Sequence, residues 1–352
     1  MTPKYRLLAE KITEYINNDN SLSRKLPTER QLAQMYDVSR QTVREALNIL
    51  LRQKLIYKRR GSGIYISDSY FASRNKIALI VPSKEDYIWP IFISELKQSL
   101  SSLGYSLEIF ESRESRKIER EILLSIQDEL VRGIISVPVK SSVPNPNLAL
   151  YDQLLSKHIP TLFITDVYSQ SNDHSYVKFD DFYAVYRLTG EILSDSDDIY
   201  GIFMSDSNSS LSRYNGYIQA MLESGINPDD EHILWLNCDS IRQYRKSGRI
   251  DEMDQFIKIL CKSRHMNTAV ICHNDEIAAA FLDMFSKKET LPFIYSFDKS
   301  YLSRLEQYSM ISLCVPVKEL TDTIAKQAVT LLTEKKPVKT ILLPQKCQQP
   351  DY

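Results

Sequence analysis

Glycine is scarce in this sequence. The 352 residues include 9 glycines, whereas the usual frequency of roughly 7% would give about 25. The chain contains neither a G-x-x-x-x-G-K-[ST] phosphate loop nor a G-x-G-x-x-G motif, and the H-E-x-x-H and G-x-S-x-G motifs of hydrolases are missing as well. These absences argue against an enzyme of those classes. We therefore expect a non-enzymatic protein without a cofactor.

Histidine and cysteine are also few. The five histidines and five cysteines form no C-x-x-C pair and no spacing typical of metal ligands. We predict no metal site. Two cysteines, Cys272 and Cys314, lie in apolar segments that resemble strands. The cysteines are predicted to be free thiols in a reducing compartment.

Long apolar runs are missing too. No segment reaches the roughly 18 to 20 apolar residues that a membrane span requires, and the first residues alternate charged and apolar positions, unlike a signal peptide. The composition, 43% hydrophobic and 25% charged, is that of a globular protein. We expect a cytoplasmic protein of two or three domains without membrane contact.

Charge is distributed unevenly along the chain. Residues 1–70 hold 13 lysines and arginines against 7 aspartates and glutamates, whereas the remainder holds 31 against 38. A basic segment attached to an acidic body indicates a polyanionic partner for that segment alone. Composition leaves open the alternative of a basic face that is merely solvated.

The first 68 residues show the pattern of a helix-turn-helix domain. Apolar residues recur at helical spacing over residues 4–18, which predicts a first helix. The sequence TERQ at 28–31 is a capping-box pattern and predicts a second helix that ends near Met35. Ser39 is a suitable N-cap for a third helix. Two short helices joined by three residues form a unit whose second helix enters the major groove of DNA.

A basic β-hairpin is predicted directly after these helices. Residues 56–59 and 64–66 alternate apolar and polar side chains, and the intervening RGSG sequence at 60–63 forms a turn. A hairpin with a basic, glycine-containing tip is typical of a wing that lies along phosphates or enters the minor groove.

The segment LPTERQLAQMYDVSRQTVREALNILLRQKLIYKRRGSGIYI, residues 26–66, resembles the winged helix of the GntR family of regulators over its whole length. The resemblance implies binding to double-stranded operator DNA. It assigns DNA contacts to Arg30, Ser39, Arg40, Thr42, Arg44, Arg60 and Gly61. An arginine that forms two hydrogen bonds to guanine contributes about 1–3 kcal/mol of discrimination. Glu29 has an alternative role, which is to pair with Arg40 or Arg44 without touching DNA.

Residues 76–352 are predicted to form a second, larger domain after a polar linker at 69–75. Short apolar segments at 77–81, 133–137, 161–165, 200–204, 268–272 and 293–297 alternate with helical patterns. Apolar strands between helices indicate a parallel sheet covered on both faces. Because this region is too long for one comfortable core, we predict an α/β domain of two lobes.

Candidate ligand-binding residues follow the predicted strands, because ligands of such sheets bind at the carboxyl ends of the strands. These positions are 83–89, 166–168, 205–206, 273–275 and 298–299. Their aromatic, carboxylate and amide groups, together with arginine, are the set that binds sugars. An alternative for Asp166, Asn274 and Asp298 is that each caps the helix that follows.

The larger domain resembles the sugar-sensing domain of the LacI family and periplasmic sugar-binding proteins. The matching segments are 213–217, 269–278 and 296–298. The arabinose-repressor family of Gram-positive bacteria pairs the same two domains. The resemblance implies a homodimeric repressor whose effector is a small sugar, L-arabinose or a related one. It implies effector contacts by Tyr87, Trp89, Asp166, Arg213, Asn274 and Asp298. Lys299 replaces an acidic residue of the family.

Other functions are compatible with the same pattern. The same DNA reader could respond to another pentose, a hexose, a disaccharide or a sugar phosphate, or could act as an activator. A sugar-binding transport receptor would not need the basic winged helix. A GntR-type regulator with an aminotransferase-like domain would need a longer chain and a cofactor lysine.

Overall fold

The computed structural model describes residues 3–18, 24–68, 70, 75–127, 131–170, 174–196, 198–262, 267–285 and 291–346. Within these ranges, a small helical unit with a β-hairpin is followed by two lobes that each contain a six-stranded sheet. The predicted fold class, a winged helix-turn-helix followed by a two-lobed α/β domain, is confirmed. Apart from Tyr70 and Asn75, the predicted linker at 69–75 lies outside the described residues.

The N-terminal unit comprises α1 (Lys4–Asn18), α2 (Glu29–Met35), α3 (Arg40–Arg52), β1 (Ile56–Arg59) and β2 (Gly63–Ile66). The Thr28 and Gln31 side chains form the predicted capping box at the start of α2. The Ser39 side chain caps α3 by accepting a hydrogen bond from the backbone of Thr42. The apolar faces of the helices and hairpin meet in one core, which includes Ile12 and Leu47.

The first lobe contains a fully parallel sheet. Its order is β13-β7-β6-β5-β3-β4, with β3 (Lys76–Val81), β4 (Ser106–Glu111), β5 (Gly133–Ser136), β6 (Thr161–Thr165), β7 (Ser175–Phe179) and β13 (Lys339–Leu342). One face packs on α4 (Trp89–Ser102) and α12 (Val317–Glu334), and the other packs on α5 (Arg116–Ile126) and α6 (Leu148–Ser156). Helices therefore cover both faces, as predicted.

The second lobe repeats this arrangement. Its sheet has the order β14-β12-β11-β10-β8-β9, with β8 (Asp198–Met204), β9 (Ile233–Leu236), β10 (Thr268–Cys272), β11 (Phe293–Phe297), β12 (Ile311–Cys314) and the antiparallel β14 (Gln345–Lys346). The faces carry α7 (Asp181–Ile192) and α8 (Asn208–Glu223) on one side, and α9 (Cys238–Ser247), α10 (Asp251–Leu260) and α11 (Asp275–Met284) on the other.

The chain passes between the lobes after β7, after β12 and between β13 and β14. The strands β7, β9, β12, β13 and β14 were not predicted individually. They are short, and β13 and β14 keep exposed side chains, so their apolar signal is weak. Three connections between the lobes leave the carboxyl ends of both sheets facing one cleft.

The prediction of free thiols is wrong for Cys314. Cys238, Cys261 and Cys272 are free, whereas Cys314 is disulfide-bonded. Cys314 ends β12 and pairs with Gln345 of β14, a long-range contact that spacing along the chain does not reveal. None of the helices in the described ranges is both long and apolar enough to cross a membrane.

Candidate functional site

The residues predicted to contact DNA lie at the start of α2, in the first turns of α3 and at the hairpin tip. Arg30, Arg40 and Arg44 are exposed on the two helices of the helix-turn-helix. Arg60 and Gly61 are exposed in the turn between β1 and β2, where Gly61 has a φ of 73°. Ser39 and Thr42 share a hydrogen bond of 2.9 Å between their hydroxyl oxygens at the start of α3. The roles of these residues in DNA binding stay predictions.

Glu29 links the recognition helix to the wing. Its Oε2 atom accepts a hydrogen bond of 2.9 Å from Nε of Arg44, and its Oε1 atom lies 3.9 Å from Nζ of Lys58. The structure therefore shows the second of the two roles considered for Glu29, in which its carboxylate pairs with Arg44. Since both partners are exposed, the pair contributes little to stability. It holds the Arg44 guanidinium beside the first residue of α2.

We expect Arg44→Ala and Arg60→Ala to weaken DNA binding in different ways. Arg44 projects from the recognition helix, so its loss should cost about 1–3 kcal/mol on the operator and relax the preference at one base pair. Arg60 lies at the hairpin tip, so its loss should weaken all sequences similarly and flatten the salt dependence. Gel-shift titrations on operator and scrambled DNA at several salt concentrations measure both effects. A base-specific defect in Arg60→Ala would contradict the assignment of the wing to the phosphate backbone.

A cavity of ≈ 1040 Å³ separates the lobes at the carboxyl ends of the two sheets. Such a volume lies at the upper end of the range for small-molecule sites, which is about 300–1000 Å³. All six predicted effector contacts line this cavity, although they come from loops far apart in sequence: Tyr87, Trp89, Asp166, Arg213, Asn274 and Asp298. The topology therefore brings the predicted set together.

Backbone strain is concentrated around this cavity. Six of its lining residues have positive φ angles without being glycine: Tyr87, Arg113, Glu114, Lys140, Thr165 and Asp298. Each such conformation costs on the order of 1–3 kcal/mol and persists where surrounding structure enforces it, most often at functional sites. Glycine adopts a positive φ without steric strain, but this chain has few glycines, and other residues occupy these positions.

Asp298 and Tyr87 join the two lobes across the cavity. The Tyr87 hydroxyl donates a hydrogen bond of 2.9 Å to Oδ2 of Asp298. Burial raises the pKa of Asp298 to about 6, against the lowering influence of Arg213. The loop that carries Asp298 is held by the buried Asp275, which accepts hydrogen bonds from Ser296 and Ser300. Asp298 therefore caps no helix and is a positioned, mostly ionised acceptor at neutral pH.

Arg213 is buried at the floor of the cavity. Its Nε donates to Oδ1 of Asp181 at 2.7 Å, its Nη1 donates to the carbonyl of His273, and its guanidinium lies 4.0 Å from the centre of the Phe297 ring. Burial raises the pKa of Asp181 to about 6, although Arg213 acts to lower it. These contacts fix the guanidinium plane before any ligand arrives.

Asp166 contacts both lobes. Its carboxylate accepts hydrogen bonds from Ser141 and Val167 of the first lobe and from Ser207 and Ser209 of the second. Burial raises its pKa. Because Asp166 already accepts four hydrogen bonds, it links the two lobes beside the cavity. Its predicted contact with a sugar would require a sugar hydroxyl to replace one of these donors.

The remaining predicted contacts have structural roles as well. Asn274 caps α11, because its Oδ1 accepts a hydrogen bond of 3.0 Å from the backbone of Ile277. This is the alternative that the sequence left open. Trp89 is 9% exposed and packs edge-on against Phe92 in the core of the first lobe. Each presents only part of its surface to the cavity.

The cavity is also lined by residues to which the family resemblance assigned no contact: Lys140, Ser141, Asp206, His273 and Phe297. Asp181, which binds Arg213 beside the cavity, was not predicted either. Asp206 and His273 follow predicted strands and were among the candidate positions named from the sequence. Phe297 is the last residue of a predicted strand. Asp181 follows β7, which was not predicted. Lys140 and Ser141 stand four and five residues beyond β5, and only the folded loop reveals their orientation. In the described part of the chain, no three histidine, cysteine or carboxylate side chains could hold a metal ion.

Residues 4–66 match the model of the bacterial regulatory proteins of the gntR family. The N-terminal unit therefore matches the GntR-type helix-turn-helix domain, and the two-lobed domain that follows has the fold of LacI-type regulators and periplasmic binding proteins. These two parts define the class, a DNA-binding transcriptional regulator.

Two relatives are similar to this chain over most of its length. The chain is 27% identical over 350 residues to the arabinose metabolism transcriptional repressor of Halalkalibacterium halodurans, covering 96% of this chain and 91% of the relative. It is also 27% identical over 291 residues to the repressor of the same name from Geobacillus stearothermophilus, covering 81% and 78%. A solved complex of the transcriptional regulator CelR with cellobiose has a TM-score of 0.64 at 16% identity and covers 91% of this chain and 98% of that chain.

Proposed function

We propose that this protein is a cytoplasmic transcriptional repressor that binds operator DNA as a homodimer and is released by a sugar. The observation that carries the proposal is the cavity between the lobes, where an ionised carboxylate, a fixed guanidinium, an amide and aromatic rings converge. Hydroxyl-rich ligands need such a set, because each hydroxyl both donates and accepts hydrogen bonds. The basic helix-turn-helix domain supplies the operator contact.

The charges in the cavity favour a neutral sugar over a sugar phosphate. Arg213 pairs with Asp181, Arg245 binds both carboxylate oxygens of Glu276, and Arg242 pairs with Asp239. An anionic group would therefore compete with carboxylates already bound to these arginines. The names of the full-length relatives support arabinose as the first candidate, so we propose L-arabinose or a closely related unphosphorylated sugar.

Release follows from a difference in affinity between two arrangements of the lobes. A sugar that binds more tightly when the lobes are closed shifts the protein toward that state. If the two helix-turn-helix domains of a dimer fit two operator half-sites only in the other state, sugar and operator oppose each other. A coupling of about 1–3 kcal/mol is typical of such systems.

A two-step experiment tests this function. Thermal shift of the full-length protein with L-arabinose, D-xylose, D-ribose, D-galactose and D-glucose should reveal a sugar that raises Tm, because a ligand stabilises the state that it binds. The same sugar should then release the protein from operator DNA in a gel shift. Failure of all five sugars to raise Tm would contradict the neutral effector. Tighter operator binding with sugar would contradict release.

A further inference from the structure

Asp206 carries a buried oxygen atom that lacks a hydrogen-bond partner. The residue follows β8 in the second lobe, is 7% exposed and lines the cavity. Its Oδ2 atom accepts a hydrogen bond of 3.1 Å from the backbone of Cys238. Its Oδ1 atom has no partner among the residues that the structure describes. A buried, unpaired carboxylate oxygen is costly, and such exceptions in native structures call for an explanation.

Lys140 reaches this carboxylate from the opposite lobe. Its Nζ atom lies 3.6 Å from Oδ2 of Asp206 and 3.4 Å from Oδ2 of Asp239. Lys140 adopts a left-handed backbone conformation, with a φ of 51°, and its side chain is 24% exposed. The ammonium lies beside Oδ2 of Asp206 and leaves its Oδ1 atom without a partner among the described residues.

A second unpaired atom lies on the neighbouring strand. His273 directly follows β10, which pairs with β8, and its Nδ1 atom also has no partner within the described ranges. Burial and the charge of Arg213 lower the pKa of His273 well below 6.5, so the ring is neutral. Asp206 and His273 both line the cavity, so their unpaired atoms are candidate partners for two hydroxyl groups of one ligand.

We propose that Asp206, held by Lys140, is a specificity-determining residue that accepts a hydrogen bond from one hydroxyl group of the sugar, while His273 contacts another. This inference rests on the proposed function. In this proposal, Asp206 forms one contact region for the sugar, and Asp298, Tyr87 and Arg213 form another. Because Lys140 belongs to the first lobe and Asp206 to the second, the same ion pair forms only when the lobes approach each other.

The test uses the full-length protein and whichever of the five sugars raises the wild-type Tm most. Asp206→Asn should weaken binding of that sugar by about tenfold or more in calorimetric titration, the usual effect of losing a hydrogen bond to a charged acceptor. Lys140→Met should weaken it by a similar factor. Operator affinity without sugar should stay within about twofold of wild type for both variants, which shows that they fold.

Asp239→Asn is the matched control. Asp239 also lies beside Lys140, but its side chain is 65% exposed, so sugar affinity should stay within about twofold of wild type. A monodeoxy analogue that lacks the paired hydroxyl should bind wild type and Asp206→Asn equally. Wild-type affinity in Asp206→Asn, or equal losses in Asp206→Asn and Asp239→Asn, would overturn the assignment alone. If none of the five sugars stabilises the wild type, the proposed function fails and this inference with it.

Discussion

Replacing Asp298 with alanine is expected to give a repressor that binds its operator normally and no longer responds to sugar. Asp298 accepts a hydrogen bond from Tyr87 across the cavity, and its loop is anchored separately by Asp275, so the fold should survive. Losing a charged acceptor for sugar hydroxyls should raise the required sugar concentration about 100-fold. Gel-shift titration of sugar against a fixed amount of protein and operator measures the change.

The pH dependence provides a second measurement of the same residue. Because the pKa of Asp298 is about 6, sugar affinity should be constant above pH 7 and fall as the pH decreases through this value. The loss should be about tenfold at pH 5. Asp298→Asn should reduce this dependence to the part contributed by Asp181, whose pKa is also raised to about 6. Substitution of the exposed Asp195 with alanine should leave it unchanged. Release of Asp298→Ala from DNA at the wild-type sugar concentration would remove Asp298 from the effector site.

Replacing Glu119 with alanine should cause a large loss of stability. Glu119 is fully buried on α5, and its carboxylate accepts hydrogen bonds from four side chains: Asn145, Asn147, Tyr151 and Tyr168. Alanine would leave these donors without their acceptor at a cost of about 1–3 kcal/mol for each unsatisfied group. Since Asn145 and Asn147 keep other contacts, we expect the free energy of unfolding to fall by about 4 kcal/mol in total. Urea unfolding followed by circular dichroism measures it.

Two variants control for this result. Glu119→Gln keeps the shape and one acceptor oxygen, so it should lose less than half as much stability as Glu119→Ala. Glu121 lies on the same helix and is exposed, so Glu121→Ala should change stability by less than about 0.5 kcal/mol. If the free energy of unfolding of Glu119→Ala lay within about 1 kcal/mol of the wild-type value, water would have replaced the carboxylate as the acceptor for the four donors.

The N-terminal domain could be predicted closely because its signals are local. The capping box at Thr28, the N-cap at Ser39 and the glycines of the hairpin each act within a few residues, and the observed helices begin and end where these signals stand. The ion pair of Glu29 and Arg44 joins two helices, and sequence alone offered it only as one of two alternatives.

The fold class of the larger domain could be predicted from the sequence, but several of its strands could not. Apolar strands such as β6, β10 and β11 were identified because burial on both faces makes nearly every residue apolar. Strands β12, β13 and β14 were not, since each takes its place through pairing with distant segments. The disulfide state of Cys314 was also predicted wrongly.

By itself, the sequence determined the winged helix-turn-helix, the two-lobed α/β architecture after it and the group of strand-end residues that line the cavity. Chain order suffices for this, because the carboxyl ends of parallel strands share one edge. Tertiary structure alone decided the role of each residue there. It connects Asp166 to four donors across two lobes, makes Asn274 a helix cap, and leaves Oδ1 of Asp206 unpaired opposite Lys140. Hydrogen-bond partners are chosen by distance in space, and most of these partners lie tens of residues apart in the chain.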